Sequence, residues 1–463
     1  MVKGQRDAGS LGERITAQFP WAACGLLLAL LALREIPLSD LSTHLKLGGR
    51  MLAEGTPYLR ETFVVGHIGE ALSPTGWLAQ ALYHLIQSAF GWPALRAFDA
   101  VIWFAGFAVG LFPLRDKRAV GMVAALAIGF AVALPAAGIR PQSFAALGFG
   151  LTLLLLRNPD RRAVWWSVPM FVLWQNLHPS VTVAVAVIGA VALPPWIAFL
   201  RKSGPLPRDL TLMGLFAVLA IFATPAGAGF LATAGSNTQA SYLAGATEWF
   251  PLWSPANRPF LLPVLVSALF VALLGRKARW SELAPVLVCF VLTLFAVRFV
   301  LFYAIALVPL LAASIAIGPR PARPLPMLAV AGLLATAALL LAPLRFAPAP
   351  EGPAALREVA GTIYSDPNLG GLVEGPDRPV SFDGRFYLFS EPELRTLWRT
   401  QSDPATLDSI EAQFRPAGFA LTRFRSAALI DALERRPREW RKVWQDDYAV
   451  YFVRTTARSP IEN

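Results

Sequence analysis

The chain has 463 residues, 55% hydrophobic and 15% charged, where ordinary soluble domains carry about 25% charged residues. With a mean hydropathy of +0.51, it is excluded from the water-soluble globular enzymes. The formal charge of +11 does not point to nucleic acid: residues 347–463 hold 15 basic against 17 acidic groups, so the excess belongs to the apolar first 346, where basic loops set membrane orientation. Cys24 and Cys289 both lie in apolar runs, which predicts neither a disulfide framework nor a thiolate metal site.

Taking about 20 apolar residues per crossing, the sequence predicts spans at 15–33, 95–113, 119–137, 141–156, 163–175, 180–200, 210–230, 259–275, 281–297, 299–317 and 325–345, eleven in all. The first, preceded by Lys3, Arg6 and Arg14 and lacking a small-residue cleavage pattern, reads as an uncleaved anchor. Alternate connections are basic: Arg115, Lys117 and Arg118; Arg157, Arg161 and Arg162; Arg201, Lys202 and Arg208; Arg276, Lys277 and Arg279; Arg320 and Arg323. The positive-inside rule puts these in the cytoplasm. An odd number of spans then leaves the hydrophilic tail outside, in the periplasm of a Gram-negative host.

Between the first two spans runs a long outer loop, residues 34–94. Leu41, Leu45, Leu47, Met51 and Leu52 predict an interfacial helix there, and residues 76–90 a second. The histidines His44, His67, His84 and His178 fall on the outer side at spacings that fit no zinc signature. Polar groups at apolar helix ends, Arg140-Pro141-Gln142, Gln175-Asn176-Leu177-His178 and Glu248-Trp249, point either to a polar cavity or to snorkelling side chains. In the tail, strands are predicted at 379–382, 419–424 and 448–453, with helices at 391–400 and 426–436. The expected division is a membrane domain, 1–346, and a small α/β domain, 347–463, that carries no catalytic set of its own.

A carboxylate held at the bilayer surface can deprotonate an acceptor hydroxyl while cations hold an anionic leaving group. Asp40 is the candidate base, although Ser39 or Asp40 would equally suit a helix N-cap before Leu41. Transfer of a sugar from a lipid phosphate would need that pairing, and Arg140 and Arg298, at outer helix ends, with Lys46 and Arg50 in the loop, are candidates to hold the phosphate.

The stretch from Asp40 through His44, Gly48, Met51-Leu52, Gly55 and Pro57 resembles the first outer loop of bacterial multi-span proteins related to the GT-C glycosyltransferases. Glu61 with Phe63, Trp77-Leu78, Arg140-Pro141-Gln142, Trp174 with Asn176-Leu177-His178, Glu248-Trp249, Asp383-Gly384-Arg385 and the run from Trp444 to Arg454 match in order. The chain departs from the pattern in having Glu61 where Asp is commoner, Pro74-Thr75-Gly76 before the Trp-Leu pair where His-Glu is often seen, and Pro179 where glycine is usual.

The resemblance implies a GT-C-like α-helical membrane protein of about eleven transmembrane helices. It also implies a first periplasmic loop of amphipathic helices, a periplasmic C-terminal α/β domain, and a polyprenyl-phosphate sugar as donor to an envelope lipid, glycan or protein. In this reading Asp40 and Glu61 are catalytic, and Arg140, Arg298, Lys46 and Arg50 contact the donor phosphate. His44, as partner of Asp40, supports them with His178, Asn176 and Glu248, and a divalent cation, Mg or Mn, is left open. The competing classes are a non-catalytic envelope scaffold and a transporter.

Overall fold

A computed structural model of the protein describes residues 11–111, 118–321, 325–357 and 359–455. The basic groups Lys3, Arg6, Arg115, Lys117 and Arg323 lie outside them.

The chain opens with α1 (Leu11–Thr16) and α2 (Phe19–Leu31), and β1 (Ile36–Pro37) leads into α3 (Leu38–Glu54). Helix α3 stops where Gly55, at φ 66, returns its N–H to the Met51 carbonyl, a left-handed cap that glycine adopts without Cβ strain. α4 (Trp77–Leu111) is two helices joined at Gly91, whose φ of 77 and ψ of −177 interrupt the helix. Then come α5 (Ala119–Ala133), α6 (Gln142–Arg157), α7 (Arg161–Leu177), α8 (Val181–Leu200), α9 (Arg208–Ile221) and α10 (Gly229–Leu243). They are followed by α11 (Arg258–Leu274), α12 (Trp280–Phe295), α13 (Val300–Ser314) and α14 (Leu325–Leu341). The tail holds β2 (Phe346–Ala347), α15 (Glu351–Ala354), β3 (Ile363–Ser365), α16 (Pro367–Val373), α17 (Glu391–Ser402), α18 (Thr406–Phe414), β4 (Gly418–Thr422), α19 (Ala427–Glu434), β5 (Trp440–Gln445) and β6 (Ala449–Arg454).

Among the described residues every predicted apolar run overlaps a helix, in whole or in part. Among the described residues six helical stretches are long and apolar enough to cross a membrane: Leu11–Leu31, Trp77–Leu111, Ala119–Ala136, Val181–Leu200, Pro255–Lys277 and Val297–Ser314. That is the make-up of an α-helical multi-pass membrane protein. The others are shorter; α9, with 14 residues, rises about 21 Å against a core of about 30 Å. The run expected at 210–230 is cut there because Pro225 follows and Gly227 takes φ 53.

Two compact units emerge, one of Met1–Arg34, Phe90–Ala223 and Thr247–Pro343, the other of Glu35–Ala89, Thr224–Ala246 and Leu344–Asn463. In the first, α13 is the central helix, buried from Val300 through Val308 and packed by α5 and α12. Its apolar interior contains two charges that the predicted span 95–113 passes over. Asp99 is buried and accepts from Arg34 at 3.0 Å, while Arg96 donates to the carbonyls of Leu339, Ala342 and Pro343 at the end of α14. Burial of such groups is tolerable because each meets opposite charge or open carbonyls.

The second unit is the difference from expectation: the outer loop, assigned by sequence to the membrane domain, shares a core with the tail. A four-stranded sheet runs β3-β4-β6-β5, with β3 parallel to β4 and the other pairs antiparallel. Val380 bridges Ile363 on one side and Val64 on the other, and the Val380 N–H donates to Phe63 O at 2.7 Å. The tail's own residues 379–381 thus line the β3 edge, and the loop adds a further extended segment outside them, covering an edge that would otherwise be open. Ile36 pairs with Phe346 in the same unit, and Val64, Ala240 and Ala244 enter the tail's apolar core. The sequence pattern predicts no strand at β1, β2, β3 or β5 and no helix at α15, α16 or α18, and the strand expected at 379–382 is an extended segment joined through isolated bridges at Val380.

Candidate functional site

In the second unit, charges gather where α3 and the turn after it meet the α16 region and the Asp383-Gly384-Arg385 turn. Gly371 permits the approach: a Cβ there would lie 2.2 Å from Thr43 Oγ1 and 2.6 Å from Ser39 O. Glu61 is 1% exposed. Its Oε1 accepts the N–H groups of Thr62, Phe63 and Val64, and its Oε2 accepts from Arg385. Burial alone would raise its pKa, but the Arg385 guanidinium and the backbone donors hold it below the usual carboxylate range. Arg385 also grips Asp383 through Nε at 2.7 Å. Burial opposes its charge, yet Asp383 and Glu61 together raise its pKa. Glu61, expected as a catalytic carboxylate, thus has both oxygens engaged within the second unit, where they tie the loop to the tail.

Lys46 and Arg50, expected to contact the donor phosphate, also have partners inside the second unit. Lys46 Nζ donates to Gly371 O and Glu374 O, both at 2.8 Å, and stands 3.5 Å from the Glu374 carboxylate. Burial depresses its pKa, with Glu374 partly restoring it. Arg50 donates to Glu54, Arg60 O and Thr62 Oγ1. Glu374, which sequence did not single out, is buried with no hydrogen-bond donor to either carboxylate oxygen among the described residues. Burial pushes its pKa up to about 7 against the pull of Lys46.

Asp40 lies in the first turn of α3, two residues inside its N-terminal end, so it is not the N-cap; Pro37 takes that place. The carboxylate is half-buried and lies so close to the tail that a Cβ on Gly384 would come within 2.6 Å of Oδ1. The same neighbourhood holds Tyr448 and Asn368: the Tyr448 phenol bonds the Asn368 side chain and is pushed up to about 12 by burial, with Asp366 and Asp40 adding to the shift. His44, one turn on, places Nδ1 3.2 Å from Gln80 Nε2.

The first unit brings together three expected residues. Glu248 stands in a short turn, Thr247–Trp249, and Arg298 in another, Val297–Phe299, between α12 and α13. Arg140 precedes α6. One Glu248 oxygen is 3.3 Å from Arg140 Nη1 and the other 3.8 Å from Arg298 Nη1. The Arg298 guanidinium stacks on the Trp249 ring at 3.7 Å, and its carbonyl accepts from Gln142, the first residue of α6. Two guanidiniums thus share one carboxylate, a net positive charge beside the positive end of a helix, and all three side chains retain 22–39% exposure. This arrangement can receive a phosphate. His178 Nδ1 pairs with Ser180 Oγ at 2.8 Å, and Asn176 donates to the carbonyls of Val172 and Ala223.

Among the described residues, no three His, Cys, Asp or Glu side chains come together as a group that could hold a metal ion. No protein-family model and no curated protein matches this chain. Asp366 and Tyr448 carried no sequence signal, because only folding makes the first buried and brings the second toward Asp40.

Proposed function

We propose that the protein is a GT-C-like glycosyltransferase of the bacterial inner membrane, with about eleven spans, a cytoplasmic N-terminus and a periplasmic C-terminal domain. It transfers a sugar from a polyprenyl-phosphate donor to an envelope lipid, glycan or protein. The observation that carries this reading is the convergence of Arg140 and Arg298 on Glu248. A leaving polyprenyl phosphate builds up negative charge as the glycosidic bond breaks, and two guanidiniums aimed at one spot stabilise that charge. Trp249 orients Arg298 from its other face. Asp40, supported by Tyr448 and His44 nearby, is the group assigned to take the acceptor hydroxyl proton.

The test uses membranes containing the full chain and a series of labelled polyprenyl-phosphate sugars. Asp40→Asn is expected to lower kcat by about 10²–10⁴-fold without changing donor affinity. Arg298→Gln is expected to weaken donor binding about 10–100-fold, the loss of one charge-assisted bond. Full transfer by correctly inserted Asp40→Asn protein removes the proposed base. A second reading, a non-catalytic envelope scaffold, is favoured by the internal commitment of Glu61, Lys46 and Arg50. It predicts that Asp40 and Arg140 changes are silent while loss of the tail is not.

A further inference from the structure

We infer that the first unit carries a separate cleft that takes the headgroup of an anionic phospholipid. The cleft is lined by Leu153 and Arg157 at the end of α6, Arg279, Glu282 and Pro285 at the start of α12, and Pro309 of α13. Helix α6 has 16 residues, so its two ends stand about 24 Å apart. Arg157 therefore marks the end of this helix remote from Arg140, and the two anion sites are distinct.

Three observations define the occupant. Neither guanidinium at the cleft, Arg157 half-buried and Arg279 exposed, has a hydrogen bond or ion pair among the described residues. The α6–α7 and α11–α12 connections place Arg157, Arg161, Arg162, Arg276, Lys277 and Arg279 at these helix ends against only Asp160 and Glu282. Asp160 is already engaged, capping α7 through the Ala163 N–H. Apart from Ser281 and the charged groups, finally, the cleft walls are apolar: Leu153, Pro285 and Pro309 give no hydrogen bond to a bare ion but suit the glycerol and upper acyl carbons of a lipid. Two guanidiniums and one carboxylate leave a single positive charge, which a phosphodiester headgroup balances. Basic pockets between membrane helices bind anionic headgroups for this reason.

The experiment measures lipid retention by the full chain in neutral detergent, by native mass spectrometry and by Tm, with phosphatidylglycerol, phosphatidylcholine or inorganic phosphate added. Phosphatidylglycerol is expected to be retained and to raise Tm, and the other two are not. At about fivefold per basic group, Arg157→Gln with Arg279→Gln should weaken retention about thirtyfold, whereas the matching Lys pair keeps most of it. Glu282→Gln should tighten it, which keeps the inference testable if the double Gln variant does not fold. Equal retention of the two lipids, no loss in a folded double Gln variant, or weaker retention after Glu282→Gln overturns the site. Protection by inorganic phosphate equal to that by phosphatidylglycerol overturns the lipid as occupant.

Discussion

Replacing Glu61 by Ala should detach the outer loop from the tail. The native carboxylate is 1% exposed, accepts three consecutive backbone N–H groups on one oxygen and binds Arg385 with the other. Removing it strands a buried guanidinium that keeps only Asp383, and leaves the donors of Thr62, Phe63 and Val64 without their acceptor. Breaking a buried pair from one side costs about 3–5 kcal/mol. At about 1.4 kcal/mol per tenfold, amide exchange at Thr62, Phe63 and Val64 should accelerate by two to three and a half orders of magnitude. Hydrogen exchange on the full chain in detergent reads this directly. Glu61→Gln, which keeps one oxygen for the amides and loses the charge, should fall between the two. Native protection in Glu61→Ala would show that the loop is held by its apolar contacts and refute the reasoning. Because folding depresses this pKa below its ordinary value of 4.5, the contribution is full above about pH 4.5 and is lost as pH falls through the lowered value.

Glu374 has the opposite sign. Its folded pKa is raised from 4.5 to about 7, so ionisation penalises the folded state and stability falls as pH rises across that window. Lys46, Asp383, Arg385 and Glu61 face it, and only Lys46 and Arg385 offset the penalty. Glu374→Gln should flatten a melting profile taken from pH 5 to pH 8 and raise Tm at the alkaline end; an unchanged slope would assign the pH dependence elsewhere. Gly384→Ala should preserve folding yet displace Asp40 Oδ1, which a Cβ would approach to 2.6 Å. Such a shift of a catalytic group costs up to about 10²-fold in rate, so native transfer by this variant would count against Asp40 as the base. Glu248→Gln releases both guanidiniums from their internal carboxylate and should tighten polyprenyl-phosphate binding by equilibrium titration, with weaker binding as the refuting result.

Much of the architecture is legible in the chain because a bilayer demands it. Runs of apolar residues near the required length announce helices, and each predicted run overlaps one, although that at 210–230 is helical only as far as Ile221 before the next helix begins at Gly229. The two amphipathic helices of the loop were also readable, since Leu41, Leu45 and Met51 recur at the helical period and are buried in α3. The buried charges Arg96 and Asp99 were missed inside a run that otherwise reads as a plain span. Of the proposed site, Arg140, Glu248 and Arg298 could be named from their positions at helix ends, but nothing in their spacing said that the three would meet.

Composition and periodicity by themselves determined that this is a helical membrane chain with a polar tail, because those properties depend on local hydropathy and on loop charge. Only the tertiary structure decided that residues 35–89 and the tail form one unit, and with it the fates of Glu61, Lys46 and Arg50. The reason is physical: a cation or carboxylate in an outer loop has the same local sequence whether it faces a ligand or a buried partner. Arg385 lies 324 residues from Glu61, Glu374 lies 328 from Lys46, and pairing over such distances is set by the packing of Val64 against Val380 and of α3 against α16.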